Sequence, residues 1–482
     1  MLQVQICDSA RSECPMQLPL VTPAPLVTAH AAAFRDLFEN RRQYAHFEHY
    51  LTGLMVLENK SMANIARCVL DSADKTNISR FFSEAEWDPA AVNDRRLAYL
   101  LGQTRGQRAP RALSAMVLDD TLCEHVGSLF AHVDRHYNHG DGTFPLAHNP
   151  VTSFSVSGAV RFPVDLRQYR RYEEVTEWAT FVAKHFPGRP IPTNKKERAR
   201  LHKEVDPVLL ADPAFAALHQ QFRTKIDLAI ELIESAIRHK VPFGVLLFDG
   251  WYLAEEVVRV AERRHKAWIS ILKKNRMLET ASFTLKDAAG KPVPLPGPHI
   301  AVEDVVPLIP ASAYREVRVG GQTYWCFTLV ARVLHLGKVR LVISFQHADL
   351  SGTYVVLVSN QREWSAQRII ATYLLRWPTE TFYQDSKGHL GLDTYRMRSA
   401  EAIEKHWCLV FVAYSFLHLA CLPPPLVRRS FPSKTIGEVC RQQAEALIQA
   451  LLLHAHERLL HGIPIEDLVA TLFAKQRTVV ST

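Results

Sequence analysis

From about residue 30 to 105, apolar side chains recur at helical spacing, most clearly over Phe34–Leu57 and again over Met62–Leu70, and no strand pattern interrupts them. The spacing predicts a helical N-terminal region over residues 1–107. Inside it, Ser61–Leu70 and Thr76–Ser83 flank the short turn Asp71–Lys75, with Lys60, Arg67, Lys75 and Arg80 close by. That is the outline of a helix-turn-helix able to bind a DNA end, and equally of a plain bundle segment.

At Ala112 the pattern changes. Ala115–Leu118 is a short apolar run ending in Asp119-Asp120-Thr121, and Val151–Val164 alternates as paired strands do. A helix over Arg223–Lys240 sets Ile226, Ile230, Ile233 and Ile237 on one stripe and leads into the wholly apolar strand Val245–Phe248, which stops at Asp249-Gly250. A helix at Leu253–His265 and a strand at Ala267–Leu272 follow. Strands without a polar face need cover on both sides, so this alternation predicts an α/β layer over residues 108–276. Residues 277–359 read differently. Pro292, Pro294, Pro296 and Pro298 punctuate a loop, and strand-like runs occupy Tyr314–Val319, Thr323–Val333, Val339–Ser344 and Thr353–Val358, which predicts a mainly β insertion. Helices resume at Ser365, giving a second α/β part over 360–425, and a C-terminal helical region, 426–482, runs from Thr435 to Lys475. The longest apolar stretch, Trp407–Leu422, holds Ser415 and His418 and ends at Pro423. It is shorter than the ~20 residues of a membrane span, so it reads as a buried helix and no membrane partner is expected.

Composition narrows the class. A chain of 482 residues that is 48% hydrophobic and 22% charged folds into several domains and is not disordered. Its net charge of +8 favours a polyanion partner only slightly. The first 30 residues carry Pro15, Pro19, Pro23 and Pro25 and no basic start followed by an apolar core, so no secretory signal is visible and the cytoplasm is the expected compartment. The eight cysteines form no CxxC pair and read as reduced thiols.

Candidate chemistry concentrates in three carboxylates. Asp120 and Asp249 each end an apolar strand, where α/β sheets gather ligands, although an Asp there also serves turns and caps. The third is Glu380. In the segment Ile369–Tyr395, Tyr373, Arg376, Glu380 and Lys387 stand at offsets 0, 3, 7 and 14. At 100° per residue they share an arc of about 60°, so one helix face carries a phenol, a guanidinium, a carboxylate and an ammonium, with Asp385 off that face. Pro378 marks either a kink or a first turn and makes the arc approximate. A salt-bridged solvent face would show the same stripe.

With these four residues the chain resembles cut-and-paste insertion-sequence transposases of the DDE class, whose YxxRxxxExxxxxxK signature it matches at every position. The surrounding RWPTETFYQDSKGHLGLDTY and the LDDT strand end look similar too, and the resemblance spans roughly residues 110–420. It implies an α/β, RNase H-like catalytic core with a β insertion between the second Asp and the Glu. Asp120, Asp249 and Glu380 would be the catalytic and metal-holding triad, Asp120 being preferred to Asp119 because Thr121 follows it directly. Three hard oxygen ligands suit two Mg²⁺ or Mn²⁺ ions, which serve phosphodiester displacement. Tyr373, Arg376 and Lys387 would hold a terminal phosphate of the transposon end. The resemblance further implies binding of inverted DNA ends, cutting through a hairpin, joining to target DNA, a synaptic homodimer, and an aromatic that holds a flipped base, for which Trp251, Trp325 and Trp364 are candidates.

Two further features carry weaker chemistry. Thr193–Lys203 presents Lys195, Lys196, Arg198, Arg200 and Lys203, and with Arg167, Arg170 and Arg171 it could follow a DNA backbone or simply face solvent. His136–Asp141 gathers metal-capable side chains, but its Gly and Asn mark a loop. The rival functions are a structure-selective metal nuclease on the same fold and an inert DNA-binding descendant of a transposase.

Overall fold

The computed structural model describes residues 17–70, 75–138, 140–423 and 432–477. They fall into two compact units, one drawn from Met1–Arg96, Asp385–Cys421 and Lys434–Thr482, the other from Leu97–Gln384 and Leu422–Ser433.

The second unit is built on one mixed sheet. Its strands in chain order are Ala115–Asp120 (β1), Cys123–Glu124 (β2), Asp134–Arg135 (β3), Leu146–Ser157 (β4), Val160–Tyr169 (β5), Val245–Phe248 (β6), Ala267–Ile271 (β7), Met277–Glu279 (β8), His299–Ala301 (β9), Arg315–Val319 (β10), Gln322–Val333 (β11), Gly337–Phe345 (β12) and Val355–Ser359 (β13). The spatial order is β2-β4-β1-β6-β7-β13-β12-β11-β8-β9, with β3 and β5 also on β4 and β10 on β11. Among the described strands, the neighbouring pairs that run parallel are β1–β6 and β6–β7. These are the continuous apolar runs of the sequence, and Val117, Leu118, Leu246 and Leu247 are fully buried, as strands covered on both faces must be. The β-rich stretch is no separate layer. Strand β13 pairs antiparallel with β7, so residues 277–359 carry the core sheet onward.

One face of β4 and β5 is covered by the helix Lys225–Arg238, where Ser235 donates to Asp165 at 2.7 Å. The other face of β4 meets the helix Pro378–Leu390, through Phe382 on Phe154 at 5.1 Å between ring centroids and through the hydroxyls of Tyr383 and Thr152 at 2.5 Å.

The first unit is helical, and its centre is the helix Ala400–Cys421, buried along nearly its whole length as the apolar stretch predicts. No helix among the described residues is long and apolar enough to cross a membrane. The helical pattern over Phe34–Leu57 is broken into a 3₁₀ segment, Ala31–Leu37, and a helix, Arg41–Val56, because Asn40 accepts from the Gln43 amide and starts a new helix. The C-terminal region likewise divides into Ile436–Leu460 and Ile465–Arg477, parted by Gly462 at φ 79°. The two helices of the candidate helix-turn-helix are present as Met62–Cys68 and Lys75–Ser83, and their turn lies outside the described residues. Six cysteines are buried free thiols, and Cys7 and Cys14 lie outside the described residues.

Candidate active site

Four carboxylates meet at the C-terminal ends of the parallel strands. Asp119 and Asp120 close β1, and alternation along a strand sends them to opposite faces. Asp119 pairs in register with Thr152, the residue bonded to Tyr383, so it lies on the face of the Pro378–Leu390 helix. There Asp119 Oδ2 accepts from Arg376 Nη1 at 2.6 Å, and the same nitrogen donates to Glu380 Oε1 at 3.0 Å. Asp120 pairs with Val151 and turns to the other face, where Oδ2 accepts from Lys225 Nζ and Asn149 Nδ2, both at 2.9 Å, and Oδ1 from the Tyr252 hydroxyl at 2.7 Å. Lys225 reaches it as the first residue of a helix whose capping box, Thr224 with Asp227, fixes where that helix begins.

Asp249 follows β6, whose Phe248 is in register with Leu118 of β1. Its Oδ1 accepts from the amides of Trp251 at 2.9 Å and Tyr252 at 3.4 Å, a tight turn. Gly250 is required there, since a Cβ would stand 3.0 Å from the Ile271 carbonyl oxygen. The Glu380 segment is not one helix. Ser365 caps the helix Ala366–Tyr373, a 3₁₀ turn covers Leu374–Arg376, and a new helix starts at Pro378 with Glu380 in its first turn. Tyr373 and Arg376 therefore precede the helix of Glu380, and Arg376 still reaches Glu380. Lys387 lies farther along that helix, in the segment belonging to the first unit.

Electrostatics separate the paired aspartates. Burial, reinforced by the charges of Asp120, Glu380 and Asp249 and opposed by Arg376, pushes Asp119 up to about 7. Burial also works to raise Asp120, but the charge and hydrogen bond of Lys225, with Asn149 and Tyr252, hold it below the usual carboxylate range. Asp249 is raised by burial and by Asp120, against its two amide donors. Burial likewise raises the phenols of Tyr252, Tyr383 and Tyr373. Two cations, Lys225 and Arg376, thus face four carboxylates, leaving a negative excess made entirely of hard oxygen donors. That donor set fits Mg²⁺ or Mn²⁺. As they stand, the carboxylates are drawn onto Arg376 and Lys225, and no group of three His, Cys, Asp or Glu among the described residues converges on an ion position.

The other candidates are placed as follows. Lys195, Lys196 and Arg200 are exposed on the helix Lys195–Leu209, whereas Arg198 donates to Glu173 at 2.6 Å. Arg167 pairs with Asp165, Arg170 with Glu174 and Arg171 with Asp134. In the His136–Asp141 loop, His136 is buried, Asp141 turns back on Thr143, and His139 lies outside the described residues. Trp251 is 53% exposed beside Asp249, its ring within 5.8 Å of Lys225 Nζ and 5.5 Å of Lys273 Nζ. Trp364 lies under Arg368 at 3.9 Å, and Trp325 is half-buried. Sequence reasoning missed Lys225, Asn149, Tyr252 and Tyr383 as carboxylate neighbours. The strand pattern held the signal that Asp119 and Asp120 diverge, but not which face the glutamate helix covers.

The model of the DDE superfamily endonuclease family matches residues 33–304, more than half of the chain, and includes both strand-end aspartate positions. The transposase DDE domain matches residues 193–416, which include Asp249 and Glu380. No curated protein matches the chain. Two family matches that overlap over residues 193–304, and between them take in all four carboxylates, leave one conclusion: the chain belongs to the DDE superfamily endonucleases.

Proposed function

We propose that this chain is a cut-and-paste DNA transposase with an RNase H-like core. It binds the inverted ends of its element, cleaves both strands through a hairpin intermediate, and joins the freed 3′ ends to target DNA. The observation that carries the reading is the convergence of Asp119 and Glu380 on one guanidinium, with Asp249 at the neighbouring strand end. Asp119, Asp249 and Glu380 are the residues that would hold two Mg²⁺ or Mn²⁺ ions. This moves the first ligand from Asp120 to Asp119, because Asp120 is already engaged by three donors on the opposite face. Bound there, the ions would supply Lewis acidity for phosphodiester displacement.

The chain's own residues do the positioning. Arg376 offers a planar fork to a phosphate and Tyr373 a hydroxyl, while Lys387 adds a point cation. Lys195, Lys196 and Arg200 follow the DNA backbone from an exposed helix face, and Trp251 takes an unstacked base between two ammonium groups. A homodimer is supported by exposed Leu452, Leu453, Leu459 and Leu460 on the helix Ile436–Leu460. The test is cleavage of end-labelled DNA from the flanks of the protein's own gene in Mg²⁺. Nicking followed by hairpin and double-strand products is expected. Nicking of any branched DNA without regard to sequence would instead identify a structure-selective nuclease.

A further inference from the structure

A single nitrogen, Arg376 Nη1, stands between a carboxylate of the sheet and a carboxylate of a helix, 2.6 Å from Asp119 and 3.0 Å from Glu380. A small divalent ion such as Mg²⁺ would draw those oxygens to about 2.0–2.1 Å of itself, a position the guanidinium now fills. Lys225 differs, since its ammonium holds only Asp120 and bridges nothing within the set. Arg376 also cannot yield by losing its proton, as a lysine or histidine could, so it must move for an ion to enter. Its backbone permits that: it ends a 3₁₀ turn, and the next residue, Trp377, is 66% exposed.

We infer that Arg376 is a built-in stand-in for a divalent cation, displaced when the ion binds and thereby released to a DNA phosphate. The inference rests on the reading of Asp119, Asp249 and Glu380 as the ion-holding set. Its consequence is reciprocal coupling: a phosphate that captures Arg376 vacates the carboxylates and tightens ion binding, and ion binding frees Arg376 for the phosphate by the same factor. A protein built this way stays poorly loaded with metal until DNA is present.

The test is Mn²⁺ binding to the full chain, read by electron paramagnetic resonance, with and without a short DNA duplex, for the wild type, Arg376→Gln and Asp249→Asn. Without DNA, Arg376→Gln should bind Mn²⁺ on the order of tenfold more tightly than the wild type, within the usual range for coupled sites. Adding duplex should tighten Mn²⁺ on the wild type and leave Arg376→Gln unchanged. Equal affinity in the two proteins, with Asp249→Asn still abolishing binding, would overturn the stand-in role alone. Mn²⁺ binding that survives Asp249→Asn undiminished would overturn the carboxylate set as well. If Arg376→Gln loses its melting transition, Arg376→Met carries the same comparison.

Discussion

Both units draw charge away from solvent, and the carboxylate cluster of the sheet unit does so in a way the helical unit does not. In the helical unit the buried charges are cations met mainly by neutral oxygens. Lys405, 1% exposed, donates to the Ala85 carbonyl at 2.8 Å and the Phe82 carbonyl at 3.3 Å and pairs with Glu401. Arg96, equally buried, donates to Asn93 at 2.9 Å and Ser415 at 3.0 Å. Each neutral acceptor offsets desolvation, so these charges staple helices. The sheet unit repeats this once, where buried Lys266 donates to the Phe243 carbonyl at 2.7 Å, but at its strand ends half-buried like charges crowd together, Asp119, Asp120, Asp249 and Glu380, with too few cations to balance them. Self-repulsion of that kind does not help folding. It is kept where chemistry uses it.

The contrast breaks first at the carboxylates. Asp249→Asn or Glu380→Gln should lower cleavage by a factor on the order of 10³ or more, because each removes an anionic ligand from a site that stabilises transition-state charge, while the melting temperature holds or rises as repulsion is relieved. Cleavage rates beside thermal melts check this, and a joint fall of both would make the carboxylates structural.

The second test belongs to the helical unit and to pH. His406 sits fully buried, with Nε2 3.0 Å from the Gly391 carbonyl and Nδ1 2.9 Å from the Tyr50 hydroxyl; burial keeps the ring neutral, so Nε2 donates and Nδ1 accepts. Burial lowers its pKa from 6.5 to about 4. The unfolded chain therefore binds this proton more readily than the folded one. The stabilisation is complete above pH 6.5 and is lost as pH falls toward 4, by on the order of 3 kcal/mol. Urea midpoints across that window measure it, and His406→Gln should flatten the dependence. A wild-type midpoint that does not move from pH 7 to 4.5 contradicts the assignment.

A smaller effect is expected at Lys405→Met, which strands the Ala85 and Phe82 carbonyls and should cost about 1–3 kcal/mol in denaturant melts, with cleavage per folded molecule unchanged. The smallest belongs to the basic helix. Replacing Lys195, Lys196 and Arg200 with Ala should reduce the slope of log K for DNA against log salt by about 0.9 for each phosphate that is no longer neutralised. An unchanged slope assigns that face to solvent.

Much of this architecture was legible because continuous apolar strands admit one reading. Val245–Phe248 is a strand with the bounds its sequence predicts, and Asp249 stands at its end. The Glu380 segment was legible from spacing, yet Pro378 divides it, so Tyr373 and Arg376 precede the helix that carries Glu380 and Lys387. What was hidden depended on pairing. Nothing local to Asp119-Asp120 states which face Tyr383 will cover, and the engagement of Asp120 by Lys225 joins residues 105 positions apart. The joining of β13 to β7 is hidden for the same reason, since a strand's partner lies in no local pattern.

The divergence of the paired aspartates is the most direct point of attack. Asp119→Asn and Asp120→Asn should be compared side by side for nicking of end-labelled DNA in Mg²⁺ on a denaturing gel. The expected result is loss of nicking in Asp119→Asn by a factor on the order of 10³ or more, and measurable nicking in Asp120→Asn, whose amide oxygen can still accept from Lys225 while its NH2 donates to the Tyr252 hydroxyl. An inactive Asp120→Asn beside a normally cutting Asp119→Asn would contradict it and return the first ligand to Asp120.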